Sequence, residues 1–496
     1  MTRNSGVTRF AVIDGGGTGR SVRDRIAVPE GPCLSAPELA ADMAELFALG
    51  LVQDLRAEAL LDPHCAVRID GATRFTMHEL LCELRNLSWF DAGKTLVPTA
   101  AGALSADARH DEVAQRRALR CNSEGQLTLH SFLRGGVALR GGGPVLSALW
   151  DSDHVVARHP NGAETWPSEG APMSEWIGWC AEHSRAGLRL PWGPVRATQT
   201  PSLSDRAEAL HQTQPARPFH NAALVALARG VDVAAGLPGP SLWTGSRLFS
   251  LMAEAEAMAR QFAQTQASRP DRMPRPAVTA AQMTVWLAQE EGRHGRQQDD
   301  VYRMAAEELA SAAPNLLHWV SRANRARRGP QRFDLSLFLP LAGPERQHLN
   351  PSDLAPHGIV AGALATLLKA VFDTSPRTQL QAVGKSGPAL ALEDQVDRLA
   401  SNVALMRCVT GGYFPAENIQ DLRLGQAIAL HLLRDRLERD NRSAGLAFRD
   451  LDGRSLQVQA HPRRFGRGFA ELRCDGTPMA WPQEACHPAA HLTAVS

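Results

Sequence analysis

A helix-forming apolar run opens at His357 and continues to Phe372, and Arg407 follows on a second run that stops at Gly411-Gly412-Tyr413. An arginine and a histidine directed into one helical core need partners, because an unpaired buried charge is costly. An oxyanion is the expected one. Planar guanidinium donors beside an imidazole would equally hold a carboxylate or an enolate. The dipole at a helix N-terminus disfavours the imidazolium, so His357 is expected neutral and able to accept a proton.

The elements that must position these residues follow from apolar spacing of three and four. Helices are predicted over Ala36–Gln53, His78–Leu87, Arg206–Leu210, Asn221–Ala235, Arg247–Gln266, Thr279–Glu291, Asp299–Arg325, His357–Phe372, Leu392–Met406 and Ile419–Leu437. Period-two runs are few: Leu127–Leu133, and a hairpin of Gly445–Phe448 and Ser455–Ala460 around Asp450-Leu451-Asp452-Gly453. The expected fold is mainly α, two packed helical bundles with a few short β-hairpins. Residues 1–34 form an N-terminal extension, 35–465 one helical domain, and 466–496 an irregular C-terminal tail.

The stretch NPSDLAPHGIVAGALATLLKAVFD, Asn350 to Asp373, resembles a signature of the vanadium-dependent haloperoxidases, most closely their algal-type bromoperoxidase branch. Pro351, Ser352, His357, Val360 to Ala363, Leu368-Lys369 and Phe372-Asp373 match in register. Arg407 and Gly411 match a second segment. Leu248 to Pro276, ending in Arg275-Pro276, matches a third. Similar stretches elsewhere (Ala41 to Asp54, Met77 to Asp91, Pro218 to Gly230) extend the resemblance from about Ser35 to Ala460. It implies the two-bundle haloperoxidase fold, shared with acid phosphatases, with a pocket built from 267–276, 350–357 and 407–413. A homodimer or larger homo-oligomer is implied as well.

The resemblance also implies what is missing. In the family a histidine bonds vanadium at the position of Tyr413, and a lysine contacts the anion at the position of Ala267. The glycine amide before the acid–base histidine is replaced by Pro356, which has no N–H. Asn350 stands where the algal branch has a histidine linked to halide handling. A phenol is a poor neutral-pH metal ligand, whereas imidazole donates a lone pair without losing a proton. Arg275, His357, Arg407 and Tyr413 are therefore the expected site, with Arg275 and Arg407 contacting any bound oxyanion. No metal ligand and no cofactor are expected, vanadate entering only if the chain is a working haloperoxidase. The two arginines have a structural alternative, pairing with Glu254 or Asp421.

Acid–base chemistry at His357 on a small organic substrate (isomerisation, rearrangement or cyclisation) is the leading reading. A functional vanadium haloperoxidase and a non-catalytic structural homologue are the alternatives. Phosphoryl transfer would lack its nucleophile, which the fold places at Tyr413. The balance of 53 basic and 52 acidic side chains excludes a strong whole-molecule field, so neither nucleic acid nor an anionic membrane is an expected partner. Of eight cysteines, without a CxxC pair, most read as reduced core residues. With no apolar leader and no long apolar span, a cytoplasmic protein is expected. The glycine-rich Ile13 to Arg20 reads as a turn, since no hairpin or second acidic loop follows to make it a phosphate loop.

Overall fold

The computed structural model describes residues 21–91, 106–140, 146–150, 155–158, 201–211, 213–228, 230–270, 272–289, 301–329, 336–340, 354–375, 379–382 and 390–485. The glycine-rich segment before Arg20 and the residues Asn350, Pro351 and Ser352 lie outside them. Helices dominate: α1 (Ala36–Val52), α2 (Met77–Arg85), α3 (Ala106–Ala118), α4 (Leu203–His211), α5 (Arg217–Ala228), α6 (Ser246–Ala267), α7 (Pro276–Gln289), α8 (Val301–Ala312), α9 (Pro314–Arg328), α10 (Ala355–Val371), α11 (Leu392–Val409) and α12 (Pro415–Asp440).

They pack as two groups, in the mainly α arrangement expected. One is centred on α10, which lies against α6, α11 and α12. The other is centred on α1, which lies against α2, α8 and α9 and also touches α11. Both central helices are apolar nearly all round and buried, as a helix enclosed on all sides must be. None of the helices among the described residues is long and apolar enough to cross a membrane.

Strands are peripheral. β1 (Ala66–Arg68) and β2 (Arg74–Thr76) form a hairpin, and β3 (Val155–Arg158), β4 (Gln379–Ala382) and β5 (Leu390–Ala391) an antiparallel sheet. The C-terminal sheet is a four-stranded meander of β6 (Ala444–Arg449), β7 (Ser455–His461), β8 (Phe469–Cys474) and β9 (Thr477–Met479). Its apolar alternation faces α12 and α10.

Several expected elements differ. Residues 469–479 supply two of the meander's strands, where an irregular tail was expected; the strands are short and their alternation is diluted by charge. Leu127–Leu133 is a run of turns, not a strand. There the Ser131 amide donates to Thr128 Oγ1 at 3.1 Å, a local bond that competes with strand pairing. The Asp299–Arg325 helix is two helices, α8 and α9, broken at Ala313 because Pro314 cannot continue the ladder. Helix α3 was not anticipated: its buried Arg116, and Arg120 in the turn just after its last residue, pair with Glu38 and Asp42 of α1 at 2.6 and 2.5 Å.

The crossing of α10 and α12 fixes everything near the site. A Cβ on Gly362 would stand 2.0 Å from the Leu422 carbonyl oxygen, and one on Gly425 2.0 Å from that of Ile359. Backbone meets backbone there, and no side chain fits without separating the helices. Gly362→Ala should therefore cost about 1–3 kcal/mol. Gly71→Ala, at a position with open space around it, should be nearly neutral by comparison. Denaturant midpoints for the two variants check the contrast.

Candidate functional site

Arg407 is the last-turn basic residue of α11, where the helix C-terminus favours a cation. Gly411, in the left-handed region at φ 69°, ends the segment, and Pro415 starts α12 from an extended Phe414. The chain thus doubles back within a few residues and brings the first turns of α12 against the end of α11. Arg407 is fully enclosed, at 0% exposure. Its Nη1 donates to Asn418 Oδ1 at 2.7 Å and its Nη2 to Asp421 Oδ2 at 2.6 Å. The Tyr413 ring lies against the guanidinium, 3.8 Å from centroid to Cζ, a cation–π contact. On the far side, a Cβ at position 358 would fall 2.0 Å from Arg407 Nη1, so Gly358 makes the room the guanidinium occupies.

Asp421 is buried with it, and burial pushes its carboxyl up while Arg407 pulls it back. Asn418 is fixed in turn, donating from Nδ2 to the Ala404 carbonyl at 3.0 Å. Of the two structural partners foreseen for the arginines, Asp421 is the one used by Arg407. Glu254 pairs with Arg436 instead, at 3.3 Å.

His357 sits in the first turn of α10 and is 2% exposed. Its Nε2 lies 3.3 Å from the Thr213 carbonyl oxygen, which requires the proton on Nε2 and leaves the Nδ1 lone pair without a hydrogen bond among the described residues. Burial drives its pKa down to about 4; the Thr213 carbonyl opposes this, and Arg407, His211 and Arg260 add to it. The ring is thus neutral, as the helix position suggested, with burial as the larger cause.

A cavity of about 40 Å³, room for roughly three waters, opens beside Tyr413. It lies between the first turn of α12 (Glu417, Asp421), the end of α6 (Gln266, Ala267) and the loop that follows (Arg269, Arg272). Ala355 at the start of α10 and the stretch around Pro32 close it. Of the four sequence-predicted residues, Tyr413 lines this cavity and Arg407 stands directly behind it. Arg275 does not line it; its carbonyl accepts from the Val278 and Thr279 amides and starts α7. Its place near the cavity is taken by Arg272 and Arg269. Sequence alone offered three arginines spaced by three in SRPDRMPRP, and nothing local says which one a loop turns inward.

Glu417 was also missed. It is the third residue of α12, and its Oε2 accepts from the Phe414 amide at 2.9 Å, the glutamate half of a capping box. Apolar spacing in the sequence began this helix at Ile419; it starts four residues earlier, with Pro415 at the first position and Glu417 at the third. Burial raises the Glu417 carboxyl to about 7; the Phe414 amide opposes this, Asp421 adds to it, and Arg407 and Arg272 oppose it. A carboxyl titrating near neutrality on a cavity wall is a candidate for proton transfer. The donors a bound oxyanion would meet here are accordingly mixed: Arg272 and Arg269 attract, Asp421 and Glu417 repel, and Arg407 is already neutralised.

No family model matches the chain. Two relatives do, both vanadium-dependent bromoperoxidases. The one from Corallina pilulifera is 24% identical, over 87% of this chain and 76% of its own length, and the one from Corallina officinalis is 24% identical with the same coverage. Among solved structures, the homohexameric second vanadate-dependent bromoperoxidase of Ascophyllum nodosum superposes with a TM-score of 0.55 and 16% identity, covering 94% of this chain and 77% of that one. The mainly helical fold and the similarity along most of the chain together make this a vanadium haloperoxidase-like protein.

Proposed function

We propose that the chain performs metal-free acid–base chemistry on a small organic molecule in the cavity beside Tyr413, and that it does not oxidise halides through vanadate. The observation that carries this is the state of Arg407. Its guanidinium, the group a vanadate-type site would turn toward the anion, is bonded to Asp421 and Asn418 and covered by the Tyr413 ring. A vanadate placed here would face two carboxyl groups, a phenol in place of an imidazole, and Pro356 in place of an amide donor. These residues do not fit that cofactor.

Within this reading Tyr413 is a hydrogen-bond donor at the wall and Arg407 a positioning residue that holds Tyr413, while His357, neutral and enclosed, does not line the cavity. Arg275 has a weaker claim than Arg272, because only the latter lines the cavity. The homohexameric structural relative supports self-association of this chain as well.

Purified protein supplied with orthovanadate, hydrogen peroxide and bromide should not brominate a phenol. Turnover of roughly 1 per second or more would overturn the proposal in favour of a working haloperoxidase. Combining Tyr413→His, Ala267→Lys and Pro356→Gly should raise vanadate affinity in a calorimetric titration; no change would show that the cavity does not correspond to the family's anion site.

The pair behind the cavity has its own test. Arg407→Leu should destabilise by about 3–5 kcal/mol because Asp421 is left as an uncompensated buried charge, and adding Asp421→Leu should recover most of the loss. Chemical denaturation of the single and double variants measures both steps. A single variant as stable as wild type would show that the ion pair is not enclosed.

A further inference from the structure

We propose that Glu417 is the proton-transfer residue of this cavity and that Arg272 anchors the carboxylate of its substrate, a small oxo acid with an acidic C–H next to its carbonyl. The proposal rests on the acid–base reading above and gives it residues and a substrate class. Glu417 lines the cavity with one oxygen fixed: Oε2 takes the Phe414 amide at 2.9 Å, and among the described residues Oε1 takes no hydrogen bond. The carboxyl is therefore oriented by the backbone yet keeps one oxygen for an outside partner. Arg272 lines the same cavity, makes no hydrogen bond among the described residues, and acts electrostatically on both Glu417 and Asp421. A guanidinium with unoccupied donors beside two carboxyl groups is a binding element for a planar anion. Beside Gln266 and Gln420, part of the remaining wall is apolar, from Ala263, Ala267, Met273 and Ala355, and suits the hydrocarbon end of such a molecule.

The step balances without an added reagent. The C–H bond beside the carbonyl breaks, the proton passes to Glu417 Oε1, and the electron pair forms the enolate C=C while the carbonyl oxygen takes the negative charge. Tyr413, on the cavity wall, would turn its hydroxyl to that oxygen. Return of a proton from Glu417 to the same carbon restores the carbonyl. Asp421, Arg407 and Arg272 are the charged groups that set the ionisation of Glu417, and burial holds it near the pH at which a proton is both taken and returned.

Pyruvate in deuterium oxide is the probe, with loss of its methyl proton signal followed by NMR on the full chain. Wild type should exchange the methyl protons above the buffer rate, with a pH profile rising through an ionisation near 7. Glu417→Gln should lower the rate by about 100-fold or more, and Arg272→Ala should act mainly on KM, raising it roughly tenfold or more. A second measurement does not depend on the probe. The folded carboxyl lies above its ordinary value, so its contribution to stability is complete below the unfolded pKa and is lost as pH rises through the folded one. The melting temperature of wild type relative to Glu417→Gln should therefore fall between about pH 5 and pH 8. A flat difference, or full exchange in Glu417→Gln with loss in Tyr413→Phe, overturns the role of Glu417 and leaves the acid–base reading standing. Absence of exchange in wild type overturns both.

Discussion

The enclosure of Arg407 is the constraint on which the surrounding structure depends. A guanidinium carried into a helical core must find acceptors and must find room. Asp421 and Asn418 are the acceptors, both on α12 and one helical turn apart. Gly358 on α10 is the room. Those two requirements set the distance and rotation of α10 against α12, and the backbone contact at Gly362 and Gly425 continues the same close crossing toward the C-terminal end of α10. Tyr413 is held by the same guanidinium, so the position of the cavity wall follows from an interaction inside the core.

A buried ion pair is not by itself evidence of a site in this protein, because the fold uses the device repeatedly. Lys369 and Asp397 are enclosed together at 2.5 Å, and neither lines the cavity beside Tyr413. Glu38, Asp42 and Glu45 on α1 face Arg116 and Arg120, and Asp42 also accepts the Ala416 amide at 3.2 Å, tying this cluster to the first turn of α12. Such pairs contribute little net stability relative to apolar residues of similar volume, but each is costly to break singly. The Arg407 pair is distinguished from the others by what stands next to it: a phenol, a near-neutral carboxyl and an open space.

What the sequence made legible was the scaffold and the enclosed half of the site. Long apolar periodicity located α1, α10, α11 and α12, and the alternatives weighed for Arg407 included its actual partner, Asp421. The open half was illegible for physical reasons. Arg272 lies on a loop, where no periodicity relates residue order to direction, and Arg275 carried the motif match while starting a helix. Glu417 resembled an ordinary cap, which it also is; its raised pKa depends on burial by elements distant in sequence. Helix α3 escaped because a buried arginine, Arg116, stands where hydrophobic periodicity would have needed an apolar residue.

The charge around the cavity argues for a particular kind of occupant. A dense, multiply charged oxyanion would gain from Arg272 and Arg269 but would stand against Asp421 and Glu417, and it could not recruit Arg407 without orphaning Asp421. A purely neutral molecule would leave unexplained the donors of Arg272, which make no hydrogen bond among the described residues. A monoanion with its charge at one end and its reactive carbon at the other meets both conditions. Its charged end satisfies the loop arginine, while its less polar end lies against alanine and methionine, within reach of a carboxyl that can be neutral or ionised at ordinary pH. On the proposed reading a phenol at position 413 suits such an occupant, since it can stabilise a developing oxyanion by donating a hydrogen bond, with no need of a lone pair for a metal.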